Sequence, residues 1–166
     1  MKRVVTKIGD IFSVPINDKS KKYFQLIAFD LTQLNSDVIR SFKKEYPINV
    51  DPDLEEVVNS EVQFYAHCVT KWGVKLGYWG QVGKSNYLGD LSHVLFRDTN
   101  DYGEKEYIEI SHKWYVWHIN DPDFVRVGNL EGENRKAEIG MVMSPANVVH
   151  RIRTGEYNLP FYPRFE

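Results

Sequence analysis

The chain has 166 residues, of which 42% are hydrophobic and 27% charged, with a formal net charge of -2; this is the composition of one folded domain, residues 1–166, and not of a disordered segment. The slightly acidic balance argues against a protein held on nucleic acid by bulk positive charge, and the single cysteine, Cys68, excludes an intramolecular disulfide framework and a Cys-rich zinc site. Apolar runs such as 26–29 are too short to span a bilayer, and the basic start at residues 1–7 leads into no apolar stretch, so the expected compartment is the cytosol.

Aromatic residues reach 14%, which suits pleated, half-buried surfaces and predicts a sheet-rich fold. Phe12, Val14 and Ile16 alternate with Ile11, Ser13 and Pro15, a strand that Pro15 confines to an edge or an end. The polar turn 17–20 leads into a returning strand over 22–30, so 11–16 and 22–30 form a hairpin. A helix is predicted over 37–46: Ser36 can cap it, and Val38, Ile39, Phe42 and Tyr46 share one helical face. Residues 51–58 read either as a further helical turn or as an acidic loop.

A long strand is predicted over 62–72, with Val62, Phe64, Ala66 and Cys68 on its core face. Gly73, Gly77, Gly80 and Gly83 then punctuate an aromatic segment. Gly83-Lys84-Ser85 lacks the upstream glycine of a phosphate loop, which leaves turns or bulges as the reading. Strands follow at 94–96, 107–110, 114–119, 124–128 and 139–143, with turn signals at 98–103 and 120–123. A last helix at 145–153 starts at Ser144-Pro145 and stops at Gly155. The expected fold is α+β: a curved, mainly antiparallel sheet or small, partly open β-barrel with two or three short helices.

Chemistry is sparse. The five histidines, His67, His93, His112, His118 and His150, include no pair at helical metal spacing; His112 and His118 stand roughly 20 Å apart along a strand, too far to share a metal. Cys68 lies in phase with core residues, the pattern of an inert thiol. No Gly-x-Ser-x-Gly elbow exists. No enzyme, metal or cofactor is expected.

Two features point instead to binding. Asp51, Asp53, Glu55, Glu56 and Glu61 fall in a stretch without Lys or Arg, and Asp98, Asp101, Glu104, Glu106 and Glu109 form a second acidic stretch. Such a surface suits a basic partner. Trp114 and Trp117 alternate on one strand, and either becomes a binding anchor if its face is open; a sheet packed on both sides buries both.

The run Lys7-Ile8-Gly9-Asp10-Ile11-Phe12-Ser13-Val14-Pro15-Ile16, followed by Tyr23-Phe24-Gln25-Leu26-Ile27, resembles the opening of immunity protein family twenty-six of bacterial polymorphic toxin systems. There a Gly-Asp-aliphatic-Phe strand ending in proline pairs with a second strand carrying an aromatic and a glutamine. Phe24 stands where that family usually has glycine. The resemblance covers about the first 30 residues. It implies a non-enzymatic cytosolic protein that binds and neutralises a cognate toxin, with no cofactor and no catalytic residue to carry over. The acidic stretches suit the basic surface of a nuclease toxin, and the short apolar runs give no reason to expect a membrane partner. Asp51, Asp53, Glu55, Glu56, Trp114 and Trp117 are the candidate partner-binding residues. The alternative is a β-domain that binds a small ligand or, against its charge, nucleic acid through surface aromatics.

Overall fold

The computed structural model describes residues 3–102 and 106–166. Gly103 of the expected turn and Glu104 of the second acidic stretch lie outside the described residues, as do Met1, Lys2 and Lys105.

The hairpin forms as expected. β1 (Asp10–Pro15) and β2 (Ser20–Asp30) pair antiparallel, with Ile11 opposite Gln25 and Pro15 opposite Lys21. Asn17 closes the turn by accepting the amides of Lys19 and Ser20 on its Oδ1, at 2.8 and 2.9 Å.

The next segment departs from expectation. Residues 37–46 are not a helix but β3 (Ser36–Phe42) and a two-residue strand, β4 (Tyr46–Pro47). Every residue from Val38 to Phe42 is buried. Ile39 faces one core, while Val38 and Phe42 face the other side. A central strand covered on both faces loses its alternation, and its apolar positions then coincide with a helical stripe. Ser36 and Asp37 do not cap: the Ser36 hydroxyl donates to the Gln33 carbonyl, and Asp37 accepts from the Thr70 amide and hydroxyl.

A short helix, α1 (Leu54–Val58), leads to β5 (Val62–Cys68), which pairs antiparallel with β3. The strand expected to continue to residue 72 stops at Cys68, and Thr70–Lys75 form α2. After a turn comes β6 (Gly80–Lys84), antiparallel to β1. Ile11 and Phe12 pair with Gly83 and Gln81, which leaves Val82 as a bulge.

The second sheet holds β7 (Leu95–Thr99), β8 (Trp114–His118), β9 (Val125–Gly128) and the short β10 (Glu138–Ile139). Its order is β10-β7-β8-β9, with β10 parallel to β7. The strand expected at 107–110 is reduced to one bridge between Ile110 and Arg164. The strand expected at 139–143 is divided: its first residue belongs to β10, and Val142–Met143 form β11, which joins β5 in the first sheet. The first sheet therefore has seven strands, in the order β11-β5-β3-β2-β1-β6 with β4 attached to β2. It runs open from β11 to β6 and closes no barrel, so the barrel alternative gives way to an α+β fold with two mainly antiparallel sheets.

α3 (Pro145–Thr154) matches the expected helix, with the Ser144 hydroxyl capping the Asn147 amide at 3.2 Å and Gly155 ending it at φ 90°. Its Val148, Val149 and Ile152 cover one face of the large sheet against Phe12, Phe24, Phe64 and Cys68. Each such burial contributes about 1.5–3 kcal/mol. The opposite face meets the second sheet, where Ile27 and Val38 pack on Phe96 and Trp117.

Candidate functional site

The acidic segment resolves into α1 and its flanks. Asp53 caps the helix by accepting the Glu55 amide at 3.0 Å. Val57 and Val58 anchor it against Ile11, Tyr23, Phe42 and Tyr46. That anchoring turns Glu55 and Glu56 to solvent.

The stretch has no cation in its own sequence, but the fold brings three to it. Lys44 reaches Glu56 at 2.6 Å, Lys43 reaches Glu61 at 2.7 Å, and Lys21 lies 3.5 Å from Asp51. Asp53 and Glu55 form no ion pair among the described residues. The acidic surface is thus narrower than its sequence suggests and centres on these two.

Leu54 positions this surface. A Cβ at Gly83 would come within 2.4 Å of the Leu54 side chain, so α1 lies directly against β6. β6 pairs with β1 on one side only and forms one end of the large sheet. Its bulged Val82 is exposed, and so is Tyr78, two residues ahead of the strand. Trp72 and Leu76, one helical turn apart at α2, are 54% and 58% exposed. In the sequence this stretch showed only glycines and aromatics. The i, i+4 pair Trp72/Leu76 was the available sign of an exposed helical stripe.

The tryptophans expected as anchors are not available to a partner. Trp114 and Trp117 are each 1% exposed, because both faces of β8 are covered. Trp114 packs with Leu130 and Tyr162, and Trp117 with Phe96 and the large sheet.

The histidines are scattered. His93 lies 3.8 Å from Asp90, His118 lies 3.5 Å from Asp121, and His112 bonds Asn129 at 2.7 Å. Among the described residues no three His, Cys, Asp or Glu side chains gather as a metal site.

His67 is fully buried, with Nε2 2.8 Å from Asp30 Oδ2. Asp30 also accepts from Trp117 Nε1 at 3.0 Å and from the amides of Asn120 and Thr32 at 2.9 and 3.1 Å. Burial pushes this carboxyl up, but the His67, Asn120 and Trp117 bonds outweigh burial and hold it at about 2. The dyad joins β2 and β5 to β8 with no exposed atom in either side chain, so it serves as a clamp between the sheets. Cys68 is buried as well, and burial pushes its thiol well up, the state of an unreactive cysteine.

No helix among the described residues is long and apolar enough to cross a membrane. Comparison with protein-family models, with curated proteins and with solved structures finds no match to this chain.

Proposed function

We propose that the chain is a non-enzymatic, immunity-type binding protein that neutralises a cognate bacterial toxin in the cytosol. The observation that carries this reading is the packing of Leu54 on Gly83, which sets the exposed carboxylates of Asp53 and Glu55 beside the open edge of the large sheet. Exposed Trp72, Leu76 and Tyr78 lead into that edge. Exposed apolar side chains leading into an edge strand, and unpaired carboxylates on a helix packed against that strand from the sheet's Ile11 face, are separate elements that a protein partner can use. The matching occupant is a protein with a basic surface, as a nuclease has. The Val82 bulge disfavours simple strand addition, so the partner docks on side chains.

The test is coexpression of the chain with the toxin encoded beside its gene, together with measured association kinetics. Protection of growth and a stable complex are expected. Absence of both overturns the proposal. A complex formed equally well by Trp72→Ala and wild type would move the interface elsewhere.

A further inference from the structure

On another side of the molecule, β7, β10, α3 and the C-terminal tail enclose a cleft of about 450 Å³. Arg97, Glu138, Arg151 and Tyr157 line it together with apolar Ile139 and Leu159. These residues come from four separate segments, so no local pattern in the sequence announces them.

The two guanidiniums differ. Arg151 is neutralised by Glu138 at 2.8 Å and lies against the rings of Phe64 and Tyr157, at 4.2 and 4.7 Å from their centroids. Arg97 has no ion pair among the described residues. Its Nε donates to the Ala137 carbonyl at 3.1 Å, and its guanidinium carbon lies 5.0 Å from the Trp114 and Phe165 rings. Its Nη1 is buried without an acceptor, and so is the Tyr157 hydroxyl. A buried donor left unpaired is costly, and two of them at one cleft, one on a guanidinium that feels Glu138 and Asp98 only at a distance, call for an anionic acceptor.

We infer that this cleft binds a small organic monocarboxylate, the carboxylate meeting Arg97 and the Tyr157 hydroxyl and the apolar body lying on Ile139 and Leu159. A carboxylate matches the planar fork of arginine. Glu138 and Glu156 on the cleft wall disfavour a dianion such as a phosphate monoester. The volume suits a small molecule. Arg164 at the rim is engaged with Glu109 and takes no part.

Titration of the full chain with phenylacetate, followed by NMR at arginine Nε–H and at the Ile and Leu methyls, tests this directly and without any toxin. Saturable shifts at Arg97, Ile139 and Leu159 are expected, with affinity about tenfold above that of phenylacetamide. Phenyl phosphate is expected to bind no tighter than phenylacetate. Arg97→Met should abolish the preference for acid over amide, and Tyr157→Phe, which keeps the ring on Arg151, should weaken phenylacetate alone. No saturable shift in the wild-type chain overturns the inference, and so does equal binding of acid and amide. Tighter binding of phenyl phosphate replaces the carboxylate with a dianion and overturns the assigned ligand class.

Discussion

Asp30 serves four donors, the His67 ring and the Trp117 indole at Oδ2 and the Thr32 and Asn120 amides at Oδ1, so a proton on either oxygen conflicts with two of them. Its carboxyl is held at about 2, below the ordinary 3.8, so the folded state favours the ionised form. The sign follows: the stabilisation is complete above about pH 4 and drains away as the pH falls toward 2, amounting to about 2 kcal/mol. Urea unfolding across this range should show that loss in the wild type. Asp30→Asn should lack this part of the pH dependence and be less stable at neutral pH by about 3 kcal/mol, since it leaves buried donors poorly matched. Neutral-pH stability within about 0.5 kcal/mol of wild type would contradict the clamp. Cys68→Ala is a milder change, costing about 1 kcal/mol through a small cavity. Native protein should resist thiol reagents, and rapid labelling would show the side chain to be accessible.

At the level of elements, α2 and β6 are fitted through a glycine. A Cβ at Gly73 would meet the Trp79 ring at 2.0 Å. That ring donates to the Thr70 carbonyl at 2.9 Å and stacks edge-on with Phe24. Gly73→Ala should therefore cost about 2 kcal/mol by overpacking, seen as a lower urea midpoint with an altered near-ultraviolet tryptophan spectrum. Elements with local signals were legible in the sequence: the hairpin from its alternation and polar turn, α3 from its proline, serine cap and terminal glycine, and buried Cys68 from its phase in β5. β3 was not, because burial on both faces erased the alternation that would mark it as a strand. The stretch 138–143 was not either, because its few residues divide between two sheets and carry no period of their own. In the candidate binding face the carboxylates were legible. Their neutralising lysines and the adjoining edge strand were not, since tertiary packing alone brings Lys21, Lys43 and Lys44 to them.

For the whole molecule, that neutralisation decides which charge is informative to reverse. Glu56→Lys would break the pair with Lys44 and set two cations together, mixing a folding effect into any binding effect. Glu55 is exposed and makes no side-chain ion pair among the described residues, so Glu55→Lys should leave stability within about 0.5 kcal/mol of wild type. It should also slow association with a basic partner at low salt, the difference shrinking as ionic strength rises. Stopped-flow association at two salt concentrations reads both effects. Unchanged rates at low salt would remove α1 from the interface.

The parallel pairing of β11 with the end of β5 also sets a timetable for synthesis. Cys68 leaves the ribosome long before its partner Met143, and at about 5–20 residues per second the interval is roughly 4 to 15 s. Throughout that time the backbone at His67 and Cys68 has no neighbour on this side, while β1, β2, β3 and β5 are already made. A nascent chain stalled short of residue 142 should accordingly recruit hydrophobic-binding chaperones and aggregate on release. One stalled far enough beyond α3 for that helix to clear the exit tunnel should do neither.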